Sequence, residues 1–382
     1  MAKIDAGSVR FHRGGWEVRV QRDGTRVTRR VKAPNTRAGR QAAEAEADRL
    51  ARQLDAGTLG ATVADALDMH ELAHASDWSP STRRGWPGHR KALVDALGTM
   101  RLDQLRRIDI EGVYRHWTAT GSAPATVRRR HTVLLAALNS AERWEMIGSN
   151  PARSAWLPAA TKAPPKDLPA MGDVFDAIEK ITDPHLRMLA VLATATGARR
   201  GELCALRWRD VDLEVPTVTV AAALSVDETG KVHRVTTKGK SATKIAIDPE
   251  TASELKTWRT ELQKRAMAQG RKLGAAAPLI PAPGTWNEVW HPSLVSVQWG
   301  RARTAAGLDG VKLHDLRHLH ATTILADGVP VPVVAARLGH ASSKMTLDVY
   351  GHAIPAQDGA AADAITKART RSKPKPRRKK AS

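Results

Sequence analysis

Three short segments in the second half of the chain concentrate side chains that handle anions and protons. They are TGARRGEL at 196–203, HDLRHLHATTIL at 314–325 and LGHASSKMTLDVYGH at 338–352. Arg199 and Arg317 carry guanidiniums that stay charged at any biological pH and can hold anionic oxygens in a fixed geometry. His314 and His340 exchange protons near neutrality, and the Tyr350 hydroxyl becomes a nucleophile when a neighbouring group activates it. Together these residue types suit chemistry on an anionic ester.

Each has a plainer reading. Tyrosine is usually a packing residue, but the chain has only two, Tyr114 and Tyr350, so one falling in such a segment is informative. Arg199 and Arg200 could form a solvated helix face; Arg199 follows Gly197, where the helical pattern breaks, which favours function for Arg199 and leaves Arg200 to solvent. His314 and His318 share a helical face with His320 close by, a zinc-like pattern, yet no suitably spaced Glu or Cys completes it. His318 and His320 therefore read as core or supporting residues, and His352 as a surface residue. No carboxylate cluster for Mg²⁺, P-loop or HExxH motif is seen, so neither a metal nor another cofactor is expected. Cys204 and the tryptophans, Trp86, Trp117, Trp144 and Trp208 among them, read as buried packing residues.

The composition indicates the partner. In 382 residues, 60 Lys and Arg face 39 Asp and Glu, a net charge of +21 that points to a polyanion such as nucleic acid. The most apolar stretch, 186–196, contains Arg187 and is far shorter than the ~20 residues of a spanning helix. The opening MAKIDAGSVRFHRGG has no apolar signal core, and a single cysteine excludes an intramolecular disulfide framework. A cytoplasmic, DNA-associated protein with no membrane partner is expected.

The elements that must position these residues form a multidomain, mainly α chain with small antiparallel sheets. Residues 1–57 read as three strands, SVRFH, WEVRVQ and RVTRRVKA, followed by a helix from about Thr36 to Leu54. The exposed face of this sheet is expected to carry Arg19, Arg26, Arg29, Arg30 or Lys32, and such a ribbon fits a major groove. Residues 61–158 are helical throughout, with the basic clusters Arg83-Arg84 and Arg128-Arg129-Arg130 near helix starts, where they can meet phosphates. A Pro-rich linker spans 159–169. Residues 170–360 are mixed: a helix at 184–196, strands PTVTVAAALSV, KVHRVTTK and TKIAID, and helices at 249–269 and after Val311. The helix that presents Tyr350 is expected to start after Ser342-Ser343, which can cap it. A basic tail at 361–382 lacks the apolar residues to fold.

The three segments resemble the motif boxes of the tyrosine recombinase, or phage integrase, family. The helical region before them is similar to that family's core-binding domain, and the small N-terminal sheet and helix to its arm-binding domain. By that resemblance Arg199 is the first catalytic arginine, His314 and Arg317 the His-x-x-Arg pair, His340 the second histidine and Tyr350 the nucleophile. Lys238, before the Gly239 turn, matches the hairpin lysine, with Lys240 and Lys244 nearby, and Glu202 matches the acidic residue that supports Arg199. The implied reaction is attack by Tyr350 on a DNA phosphate to give a 3′-phosphotyrosyl bond. That bond conserves the energy for rejoining. Arg199, Arg317 and His340 would hold the phosphate, His314 would take the phenol proton, and Lys238 would protonate the leaving 5′ hydroxyl.

The reading is thus a site-specific integrase of a phage or mobile element. It implies double-stranded DNA attachment sites and a homotetramer on DNA, with an excision factor and a host DNA-bending protein as candidate accessory partners. A same-fold transposase or resolvase would share the chemistry and differ in its DNA substrates. A non-catalytic, sequence-specific DNA-binding protein with vestigial boxes predicts a broken catalytic position, and all six are filled.

Overall fold

The computed structural model describes residues 8–22, 25–160, 166–236 and 242–354, with 362–363 and 365–368 near the C-terminus. The chain divides into two compact units, one built from residues up to 164 together with 227–229, the other from 165–226 and the residues from 230 on.

In the first unit, strands β1 (Ser8–His12), β2 (Gly15–Arg22) and β3 (Thr25–Val31) form an antiparallel sheet in that order. Trp16, Val18 and Val20 alternate onto one face and are buried against Ala43, Ala47 and Leu50 of helix α1 (Arg37–Asp55). Thr36 caps α1 by accepting from the Gly39 amide, and Trp16 Nε1 donates to Pro34 O at 3.1 Å.

The register corrects one expectation. Arg19, Arg26 and Arg30 share the outer face, Arg19 opposite Thr28, Arg26 opposite Gln21 and Arg30 opposite Glu17. Arg29 instead stands opposite Val18, on the α1 side, and pairs with Glu46 and Asp103. Consecutive residues of a strand point to opposite faces, so Arg29 and Arg30 cannot both look outward.

Helices α2 (Val63–His74), α3 (Pro80–Leu97), α4 (Arg107–Ala119) and α5 (Pro124–Arg143) make the helical part of this unit. Val63, Leu67, Leu93, Ile110, Leu134 and Leu138 lie in its core. The sheet-and-helix part is fastened to it by buried Gln53, whose Nε2 donates to the carbonyls of Glu145 (2.8 Å) and Met146 (2.6 Å).

The second unit is built around α7 (Pro184–Thr196), buried at nearly every position from His185 to Thr196 because helices surround it. These are α6 (Met171–Glu179), α9 (Pro249–Ala268), α10 (Pro292–Ala305) and α11 (Leu313–Ala326). The short α8 (Arg200–Leu203) follows α7, and α12 (Val331–Arg337) and α13 (Ser343–Tyr350) close the unit.

The run PTVTVAAALSV, expected as one strand, breaks at Ala221. Its first half, β5 (Thr217–Val220), pairs with β4 (Val211–Asp212) and β8 (Thr243–Ala246). Its second half, β6 (Ala222–Val226), pairs with β7 (Val232–Thr236). Helices α6 and α10 were not separated from their surroundings in the sequence; α10 carries buried Val295 and Trp299 among polar residues and two prolines or glycines. Residues 362–363 and 365–368, inside the expected unstructured tail, are helical, in keeping with the Ala-rich run that precedes its Lys and Pro residues. Among the described residues no helix is long and apolar enough to cross a membrane.

Candidate active site

The turn after α7 sets the first arginine. Gly197 ends α7 in the left-handed region, φ +66°, which an L side chain rarely adopts. Arg199 then stands at the N-cap of α8, where Glu202 accepts from its backbone N–H at 2.8 Å and from its Nη1 at 2.9 Å. Glu202 thus fixes both the backbone and the guanidinium of Arg199, while the side chain stays 41% exposed and open to a ligand.

Arg317, one turn into α11, is 3% exposed. Its Nη1 donates to Gly197 O at 2.7 Å; its Nη2 donates to Leu338 O at 2.7 Å and to His340 Nε2 at 2.9 Å. Burial, reinforced by the Arg199 charge, pulls its pKa down to about 10, so it remains a cation at neutral pH. His340 follows the Gly339 turn, and its Nδ1 lies 2.9 Å from Thr346 Oγ1. Tyr350, at the end of α13, is 3% exposed and packs with Ala321, Leu325, Val334 and Leu338. Burial raises the pKa of its hydroxyl, against the opposing pull of the Arg317 and Arg199 charges.

Arg199, Arg317, His340 and Tyr350 are therefore brought together from four elements. Ser342 does precede α13, although its side chain makes no capping hydrogen bond. His314 lies at the exposed start of α11. Its pKa is lowered by desolvation, then by His318, Arg317 and Arg199. Lys238 and Lys240 lie outside the described residues. Lys244 sits on β8 opposite Thr219, and a Cβ on Gly339 would lie 3.6 Å from Thr243 Oγ1, so the start of β8 borders the His340 turn.

Sequence reasoning undervalued His318. Its ring centroid is 5.5 Å from that of Tyr350 and 4.8 Å from that of His314, placing it between the two. Helical spacing puts 314 and 318 on one face, but nothing in the sequence tells that Tyr350 lands there. His320 turns elsewhere: its Nδ1 lies 2.9 Å from Thr194 O, and its Nε2 accepts from Arg337 Nε at 2.9 Å. Among the described residues no three of His, Cys, Asp or Glu form a metal-holding group.

Beside Arg199 a cavity of about 530 Å³ is lined by Arg199, Arg200, Arg303, Lys312 and His314, with no carboxylate. Such a surface favours anions. Among the more distant basic residues, Arg84 and Arg129 are exposed. Arg128 donates to Pro158 O at 3.0 Å, Arg130 stacks over the Trp117 ring at 4.5 Å, and Arg83 is half-buried with no hydrogen-bond partner at Nε.

Residues 167–356 match the model of the phage integrase family. The prophage phiRv2 integrase of Mycobacterium tuberculosis is 29% identical over 285 residues, covering 73% of this chain and 72% of that one. The Tn1549 transposon integrase in complex with a circular intermediate DNA superposes with a TM-score of 0.66 at 17% identity, over 81% of this chain and 99% of that one. The lambda integrase tetramer bound to a Holliday junction gives 0.55 at 19% identity, over 93% and 97%. With its matched domain, its relatives and this fold, the chain belongs to the phage integrase family of tyrosine recombinases, enzymes of site-specific recombination.

Proposed function

We propose that the chain integrates or excises a prophage or other mobile element by cutting and rejoining double-stranded DNA through Tyr350. The observation that carries this reading is the convergence of two arginines, a histidine and a buried tyrosine at one place, beside an anion-favouring cavity. Its domains would be an arm-type domain at 1–57, a core-binding domain at 61–158, a linker at 159–169, a catalytic domain at 170–360 and a basic tail at 361–382.

In this mechanism Arg199 and Arg317 hold the non-bridging oxygens of the scissile phosphate, where negative charge builds as Tyr350 attacks. His340 adds a hydrogen bond. The Tyr350 oxygen forms the new bond to phosphorus, its proton passing to the His314–His318 pair, and the bond to the 5′ oxygen breaks as Lys238 supplies that oxygen with a proton. A raised tyrosine pKa makes a base necessary, and lowered histidine pKa values keep both imidazoles neutral and able to accept.

The DNA partner and a homotetramer on DNA are supported by the circular-intermediate complex of the Tn1549 integrase and the Holliday-junction tetramer of lambda integrase. An excision factor and a host DNA-bending protein are the accessory partners to seek. The test is a suicide substrate, nicked so that the 5′ fragment diffuses away, run with wild type and Tyr350→Phe on denaturing gels in EDTA. A covalent protein–DNA band with the tyrosine alone supports the reading. Its absence on DNA shown to be bound would replace it with a DNA-binding protein that has lost catalysis.

A further inference from the structure

His340 is held at both ring nitrogens, and the two contacts fix where its proton lies. A guanidinium can only donate, so the 2.9 Å contact with Arg317 Nη2 requires a lone pair on His340 Nε2. The remaining proton is then on Nδ1, donated to Thr346 Oγ1 at 2.9 Å. In this state His340 offers no proton from Nε2, the nitrogen on the Arg317 side. A hydrogen bond from Nε2 to a phosphate oxygen requires the other tautomer, in which Nδ1 accepts.

Thr346 serves both states, because its hydroxyl rotates to donate as readily as it accepts. It is 0% exposed and lies one helical turn before Tyr350 on α13. The same side chain therefore ties the phosphate-binding histidine to the helix that carries the nucleophile.

We infer that Thr346 is a positioning residue of strand cleavage: its hydroxyl lets His340 exchange tautomers, from acceptor on Arg317 to donor on the scissile phosphate, and keeps that histidine in register with Tyr350. This rests on the proposed role of His340. The exchange adds no net charge beside Arg317. It moves one proton off Nδ1 and places one on Nε2 by exchange with solvent; the hydrogen bond that Nε2 accepts from Arg317 is given up, and no other covalent bond is made or broken.

The experiment is single-turnover cleavage of the suicide substrate by Thr346→Val, which keeps the shape and removes the hydroxyl, and by Thr346→Ser, which keeps the hydroxyl. Each is also combined with His340→Ala. Thr346→Val is expected to slow covalent-complex formation about 10- to 100-fold, with DNA affinity unchanged, as a misplaced catalytic contact does. Thr346→Ser is expected to restore the rate to within about threefold of wild type, and Thr346→Val to add nothing once His340 is Ala. A wild-type rate in Thr346→Val, equal losses in Val and Ser, or additive losses with His340→Ala would each overturn the inference while leaving the recombinase reading intact. Failure of wild type itself to form the band would overturn that reading and this inference with it.

Discussion

Arg317 and Gly197, 120 residues apart in sequence, are joined by a 2.7 Å hydrogen bond from guanidinium Nη1 to backbone carbonyl. The turn that delivers Arg199 is thus held by the other arginine of the site. The glycine is required twice over at this place: its φ is +66°, and a Cβ would lie 2.7 Å from His320 Cδ2 and 3.0 Å from Leu338 Cδ2. Gly197→Ala is expected to lose on the order of 2 kcal/mol from backbone strain alone, and more from the contact with two buried neighbours. Thermal unfolding of wild type and variant checks this, and an unchanged midpoint would contradict it.

Replacing Arg317 by lysine keeps the charge and discards the geometry. Three acceptors, Gly197 O, Leu338 O and His340 Nε2, converge on two guanidinium nitrogens, and one ammonium cannot reproduce that fork. Arg317→Lys is expected to reduce the rate of covalent-complex formation by about 100-fold or more, the usual loss when a charge-stabilising donor is removed. DNA binding measured by mobility shift should change far less. A near-wild-type rate would mean that Arg317 acts as a charge alone.

Much of this was legible beforehand, for physical reasons. Arg199, His314, Arg317, His340 and Tyr350 lie in short local patterns where residue type and spacing are informative, and Glu202 follows from one helical turn. Arg29 was misplaced because three arginines and a lysine in one strand read as a basic patch until alternation is applied; Val18, across the ladder, then sends it inward. The roles of His318 and Thr346 depend on how α11 and α13 pack, which local spacing does not encode. The break at Ala221 was hidden because apolar residues continue across it, from Val218 and Val220 to Ala222 and Leu224, although the two halves serve different sheets.

His320 predicts a pH dependence of stability. Burial, followed by the Arg337 charge, lowers its pKa from 6.5 to about 4, so the folded state favours the neutral ring. Between those values the unfolded chain binds the extra proton, and stability falls as pH drops from 6.5 towards 4 and is fully present above 6.5. The contribution of this one group is on the order of 3 kcal/mol. Denaturant unfolding of the second unit within the full chain, at pH 7 and at pH 4.5, should show this loss, with a smaller loss in His320→Leu measured against its own value at pH 7. Equal losses in both would assign the effect to other groups.

The histidines beside Tyr350 predict the acid limb of the rate profile. His314 and His318 both have pKa values lowered by desolvation, so they remain neutral acceptors below the pH at which an ordinary histidine protonates. The single-turnover cleavage rate should hold steady from neutral pH down to below 6.5 before it falls. His318→Phe, which keeps a ring between His314 and Tyr350, separates packing from proton exchange: a retained rate with an unchanged profile would make His318 a spacer, and a rate loss of about tenfold or more would give it a share of the proton transfer.

On the N-terminal sheet the two faces predict different losses. Arg26 and Arg30 lie on the outer face with Arg19, whereas Arg29 is paired with Glu46 and Asp103 on the other. If the outer face meets phosphates, Arg26→Ala and Arg30→Ala should each weaken binding to arm-site DNA and reduce the slope of log affinity against log salt by about 1. Arg29→Ala removes a cation held between two carboxylates. It should lower the stability of the first unit while leaving the salt slope close to that of wild type. Binding titrations across a salt series, with unfolding curves for the same three variants, check both halves of the prediction. A salt slope that falls only in Arg29→Ala would reverse the assignment and make the α1 side of the sheet the one that meets DNA.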